Sequence, residues 1–469
     1  RERGAPRVRA SSELGSFGTN IETASVRGGG ESHYYSASFT HTDTTGFSIA
    51  TTDLAGDRDG YHRIALANQL GLGGDAFGVD AGFRYIDSDV EIDSGASPAT
   101  SASDSRQFVG RVAPRASLFD GAWEQTLAYS VNHARRDTRA FGATRFTGRL
   151  HEIDWQHTVR PIDPLALVVG AEWEREVMRG TSATNATRER VDAYSGYGDV
   201  QLALVDRVDL AGGARVYRHE QFGTEVVGRG SVAVRVPEVG LKLRASVGSG
   251  FEAPTLGQLF DDTFASNNPN LEPERSVGFD VAAAWRSADD RFGAEVGYFE
   301  NDIDDLIVGA APTFVAANVA EAKTHGIETF ADARLLERDS GLGRLDARVG
   351  YTWLQTRDVG NRRRLLRRPN DQLSFSATWS PVDRLDVTTS VLWVSDRLDF
   401  SPVTFAVIEA EAYAVVDVMV RFAATEWLEL YARADNVANE DYEDVAGFRQ
   451  PGLAGYAGVR IDLAALPLP

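Results

Sequence analysis

Leu241-Lys242-Leu243-Arg244-Ala245-Ser246-Val247-Gly248 alternates strictly, with Leu241, Leu243, Ala245 and Val247 on one parity and polar or small residues on the other. The pattern breaks at Phe251-Glu252-Ala253-Pro254 into a long polar segment, 255–270. It resumes with Val277, Phe279, Val281, Ala283 and Trp285 on one side. Two period-2 runs of about ten residues, joined by a long loop and flanked by tight turns, are the signature of a membrane-spanning β-hairpin. This reading sets the expectation for the rest of the chain.

The same unit recurs throughout. Alternation predicts about 22 strands, an even count of the kind found in outer-membrane barrels. Short turns carry the Gly, Pro and Asp that tight reversals need, among them Gly73-Gly74-Asp75, Asp120-Gly121, Ile162-Asp163-Pro164, Pro237-Glu238 and Pro381-Val382-Asp383. Long connections alternate with them at 44–60, 94–104, 136–146, 178–190, 252–275, 303–321, 357–369, 397–409 and 439–451. The expected fold is all-β, a transmembrane antiparallel β-barrel with short periplasmic turns and long extracellular loops.

One face of each strand must meet lipid. Leu373, Phe375, Ala377 and Trp379 share a parity, as do Val416, Val418, Val420 and Phe422, and Val459, Ile461 and Leu463. A charge in the middle of the lipid-facing row costs about 2–4 kcal/mol, so the polar rows are assigned to the lumen and Ile461→Arg is expected to block assembly. Trp123, Trp285, Trp379 and Trp427 each sit beside a short turn, where an interfacial aromatic girdle belongs. Two packed sheets of a soluble sandwich would need a dry core, and the opposite faces are too polar for that.

Composition agrees. The 469 residues show no linker or composition break, so residues 1–469 are assigned to one barrel domain. Mean hydropathy is -0.26 and no apolar run is long enough for a membrane helix. Cysteine is absent, which excludes disulfides and thiolate metal sites. A net charge of -20 argues against nucleic acid as a partner.

The opening stretch resembles the TonB-dependent outer-membrane receptors, and among them the vitamin B12 (cobalamin) receptor branch. The resemblance rests on an ordered set of short motifs. They are Phe251-Glu252-Ala253-Pro254, Leu256-Gly257-Gln258-Leu259, Asn268-Pro269-Asn270-Leu271 with Pro273 and Glu274, Asn301-Asp302-Ile303, Asn318, Gly326-Ile327-Glu328, Leu366-Arg367-Arg368-Pro369 and Asn436-Val437. It implies a monomer in the bacterial outer membrane that takes up a bulky nutrient chelate, cobalamin or a related corrinoid. Import would be driven by TonB-ExbB-ExbD acting on an N-terminal plug. Residues 1–20 already read as the first barrel hairpin, so the plug is expected to have been cut from the chain. A ferric-siderophore receptor is the first alternative, and a plugless pore or barrel scaffold the second. Lumen charges such as Arg244, Asp280, Asp417 and Arg421 are expected to face the plug.

Candidate chemistry is sparse. Alternate carboxylates beside Gly in Asp57-Arg58-Asp59-Gly60, with Asp93 and Asp104, offer the oxygens that Ca²⁺ requires. Corresponding loops bind calcium in the cobalamin receptors, which the match at Asp57 and Asp59 implies here; ordinary loop carboxylates are the alternative. The basic run Arg362-Arg363-Arg364, Arg367-Arg368 lines the mouth, meets lipopolysaccharide phosphates or is simply solvated. The eight histidines show no ligand spacing, and no nucleophile elbow or phosphate loop is present, so no enzyme is expected.

Overall fold

In a computed structural model, described here for residues 4–52, 56–92, 101–139, 143–182, 185–261, 267–310, 315–318 and 321–464, the chain forms one 22-stranded antiparallel sheet. The first strand, Gly4–Gly15, pairs with the last, Ala454–Ala464, from Arg7↔Ala464 to Gly15↔Tyr456, and so closes the barrel. The strand Leu241–Glu252 pairs with Glu274–Arg286 from Leu241↔Trp285 to Glu252↔Glu274, which puts the two apolar rows on one face.

The faces follow the parity. Leu243, Val247, Val277, Phe279 and Val281 are all exposed, although the chemistry of each is apolar. So are Leu66, Leu70, Phe83, Leu127, Val169, Phe375 and Leu463 around the wall. A band of large exposed apolar side chains on one parity is what a lipid-facing surface must present. The opposite parity is wet and paired along the wall. Arg244 meets Glu295 at 2.5 Å, Ser246 donates to Asp280, Arg421 meets Asp386 at 3.3 Å, and Asp417 accepts from the Asn436 amide at 2.8 Å. The four lumen charges expected to await a plug therefore each have a partner on the barrel itself.

Turns close the rim that carries the Trp girdle. After the single helical turn Pro237–Val239, Gly240 has φ +68°, and a Cβ there would collide with the Arg286 carbonyl. Glycine is the residue that fits such a turn. Trp285, Trp379 and Trp427 are exposed beside their turns.

The other rim departs from expectation. Strands there run up to 20 residues, in Ala143–Ile162, against the roughly ten that a bilayer needs. The loops expected at 136–146 and 178–190 are mostly strand, being parts of Trp123–Arg139, Ala143–Ile162, Leu165–Thr181 and Ala186–Leu204. Above the membrane both faces of a ribbon are wet, so the alternation fades and a paired strand reads as a loop.

Candidate functional site

The outer mouth is built from loops that fold against one another. Thr255 caps the short helix Leu256–Phe260, its side chain accepting from the Gln258 amide while Gln258 reaches back to the Thr255 amide. This capping box fixes where the chain turns inward. Leu256 then packs on Met178 and Val191, with Phe146 and Phe260 around them. Leu259 and Leu271 pack on Ala316, against Phe222 and Ile307. The segments 253–261 and 267–273 are thus anchored over the inner wall of the barrel. Beneath them, Glu174, Glu176, Arg215, Tyr217 and Pro254 border a cavity of about 420 Å³.

The motif residues act as the fastening. Asn268 donates to the Ala316 carbonyl at 2.9 Å and accepts from the Asn270 amide at 3.0 Å. The Asn318 side chain accepts from the Glu272 amide and donates to the carbonyls of Glu272 and Asp305. Glu274 accepts from the Ile307 amide at 2.7 Å. Pro254, Leu271 and Pro273 are buried, whereas Pro269 and Asn270 are exposed. The motif ties the 253–273 loop to the hairpin of Ile307–Ala310 and Val315–Asn318, so its members position the mouth.

A second clamp is centred on two residues that no motif marks, Arg397 and Asp399. Arg397 is 2% exposed and donates to the carbonyls of Glu411, Glu443 and Asp444, with its guanidinium 5.3 Å from the Tyr413 ring centre. Asp399 is fully buried and accepts from Arg367 at 2.8 Å and from the amides of Phe400 and Ala446. Burial by itself pushes the Asp399 carboxyl up, but the two amides and Arg367 together hold it below the usual carboxylate range. The Tyr413 hydroxyl donates to the Asp444 carboxylate at 3.0 Å. Asn436, also buried, spans its own loop from Glu440 to Pro451. Thr51 donates through its amide to the Gly447 carbonyl, and Arg449 to that of Ile49, joining the 45–60 loop to the same body. Arg364 and Arg367 from the basic run are consumed here, paired with Asp396 and Asp399.

Of the four carboxylates nominated for Ca²⁺, Asp59 is buried and accepts from the Ile49 amide at 2.9 Å. Asp57 is exposed in the same loop. Asp104 lies on the strand Ser101–Leu118, paired with Arg139 at 3.3 Å. Asp93 falls outside the described residues. Among those described, these carboxylates do not gather into a common ligand set; the grouping with metal-ligand spacing is His41, Asp43 and His62. The sequence scatters those histidines because their proximity is cross-strand.

The outer wall carries a further feature above the apolar band. A cavity of about 650 Å³ is lined by Tyr129 and Trp173 and by Arg135, Arg145, Arg149, Arg175, Arg179 and Arg188. Tyr129, Ile153, Trp173 and Tyr194 are opposite one another in neighbouring strands, and Tyr129, Ile153 and Tyr194 are exposed, which places this row on the lipid side. Asp137 takes Arg135 and Arg145, and Asp192 takes Arg175. Among the described residues, no carboxylate pairs with Arg149, Arg179 or Arg188.

The comparisons with known proteins agree with this geometry. A family model described as "TonB dependent receptor-like, beta-barrel" matches residues 5–437. The chain is 24% identical over 432 residues to the vitamin B12 transporter BtuB of Photobacterium profundum, covering 89% of this chain and 68% of that one. It is 26% identical over 419 residues to the vitamin B12 transporter BtuB of Vibrio vulnificus, covering 87% and 65%. The chain thus spans about two thirds of the length of these curated relatives. Among solved structures, the copper transporter OprC superposes with a TM-score of 0.82 at 16% identity, over 99% of this chain and 81% of that one. The ferric-catecholate import receptor Fiu of E. coli K12 gives 0.79 at 11%, over 98% and 82%. These likenesses show the fold, and the relatives are receptors and transporters rather than enzymes. The chain belongs to the TonB-dependent receptor-like β-barrel family.

Proposed function

We propose that the protein is an outer-membrane receptor that captures a bulky nutrient chelate, cobalamin or a related corrinoid, for TonB-coupled import. The observation that carries the substrate class is the pair of vitamin B12 transporters that match along nearly the whole chain. The roofed mouth supports it, because an anchored loop over a lumen cavity offers a concave, preorganised surface for a large ligand. Siderophore and copper receptors share only the fold at these identities. Equilibrium binding to the protein in detergent micelles tests the reading: cyanocobalamin should bind at least tenfold more tightly than a ferric catecholate. The reverse order would replace the corrinoid with a siderophore.

The outer leaflet supplies the second partner. Six arginines above an apolar, aromatic-edged surface suit the phosphates of lipopolysaccharide, since guanidinium pairs with phosphate bidentately. Arg149→Ala, Arg179→Ala and Arg188→Ala combined should lower the lipopolysaccharide that stays bound through purification several-fold, read as lipid phosphate per protein. Unchanged phosphate would remove this surface as the contact.

A further inference from the structure

The row that ends the apolar band on the strands Thr19–Gly29, His33–Thr44 and Tyr61–Gly73 carries nitrogen donors and carboxylates together. Phe39 stands opposite Leu66, both exposed, so that parity faces outward. One step along the same parity His41 stands opposite Glu22, and the next step sets Asp43 opposite His62. The strand pairing therefore converges four side chains that lie far apart in sequence.

Their geometry is specific. Glu22 Oε2 is 2.6 Å from His41 Nδ1. On its other side, His41 Nε2 lies 2.8 Å from Asp43 Oδ2, and His62 Nδ1 lies 2.8 Å from Asp43 Oδ1. The two imidazole rings sit edge to face with centroids 5.2 Å apart. One ligand atom from each of His41, Asp43 and His62 falls within 4.8 Å of the others. Ligand atoms around a tetrahedral zinc are separated by about 3.3 Å, as bonds near 2.0 Å require. Small side-chain rotations cover the difference.

We propose that His41, Asp43 and His62 form a binding site for a borderline divalent ion of the Zn²⁺, Cu²⁺ or Ni²⁺ type on the outer wall. Two imidazoles and one carboxylate suit such ions, whereas Ca²⁺ and Mg²⁺ take oxygen. Glu22 is the positioning residue. By accepting the Nδ1 proton of His41 it leaves the Nε2 lone pair for the metal, the arrangement that second-shell carboxylates give to metal-bound histidines. Three protein ligands leave a position open to water or to a further group. The site is independent of which chelate the mouth takes.

The plain competing state is a surface cluster held together only by its own hydrogen bonds, with no affinity for metal. Calorimetric titration of the EDTA-stripped protein in detergent micelles near neutral pH separates the two, with Zn²⁺ as the probe and Ca²⁺ as the control. The expected result is one Zn²⁺ per chain with no comparable Ca²⁺ uptake. Affinity should fall at least 100-fold in the double variant His41→Ala, His62→Ala, and about tenfold in Glu22→Gln. Heat-modifiable migration in gels verifies that each variant still forms the barrel. No zinc uptake by the wild-type protein, or uptake unchanged in the double variant, would overturn the proposal.

Discussion

Val281→Arg should sharply lower the folded fraction, whereas Ala282→Arg one residue away should be tolerated. Val281 is exposed on the lipid side, opposite Ala245 and Tyr298 and four residues from the girdle residue Trp285. A guanidinium there must sit in hydrocarbon, at about 2–4 kcal/mol, which is roughly 30-fold to several hundred-fold in the folding equilibrium. Ala282 stands opposite Arg244 on the lumen parity, where water and the carboxylate of Glu295 are near. The measurement is the folded fraction after refolding into lipid vesicles. Equal losses for the two variants would mean that the face assignment is wrong. The structure also revises which position tests it best. Ile461 stands opposite Leu428, and the Asp462 amide donates to the Trp427 carbonyl, so Ile461 lies beside a turn. An arginine there can reach the interface, and its cost drops to about 0–1 kcal/mol.

What the sequence made legible follows from where the membrane imposes a period. Between the girdle and the outer rim every other residue must be apolar, so Leu241 to Trp285 discloses its strands and its faces without any tertiary information, while the register comes only with the pairing. Outside that band the constraint lapses. Residues 143–146 and 186–190, which open Ala143–Ile162 and Ala186–Leu204, are paired as regularly as the rest of those strands, yet they read as loops. The motif Asn268 to Glu274 was visible as a pattern, but its work could not be read, because its partners Asn318, Ala316 and Ile307 lie in another loop. His41 and His62 are 21 positions apart and become neighbours only once the strands pair. The one local cue was His41-x-Asp43, since residues two apart on a strand share a face. Arg397 and Asp399 gave no cue at all: Asp444 and Ala446 are distant in sequence, and an Arg-x-Asp pair in a polar loop looks solvated.

That clamp yields the second large effect. Asp399→Ala should leave the barrel intact and release the outer loops. The substitution strips acceptors from the amides of Phe400 and Ala446 and removes the partner of Arg367. A buried donor left unsatisfied costs about 1–3 kcal/mol, so two of them together cost several kcal/mol of local loop stability. Arg367 adds less, because half of its side chain is in water. Limited proteolysis should then cut within 395–412 and 436–453 at least tenfold faster than in the wild type, with heat-modifiable migration unchanged. Acid gives an independent reading of the same contact. The Asp399 carboxyl is held below its ordinary value in the folded loops. Its contribution is therefore complete above about pH 4, the unfolded range of an aspartate, and drains away as pH falls through the folded value. Wild-type loops should become protease-sensitive on acidification, while Asp399→Ala should be sensitive already at neutral pH and change little on going down. Loops in the variant that stay as resistant as the wild type would show that Arg397 and Asn436 hold the mouth without this carboxylate. If the mouth is the capture surface, loss of the clamp should also weaken chelate binding without touching the wall beneath it. That outcome would separate a receptor whose loops are preorganised from one that closes only around its ligand.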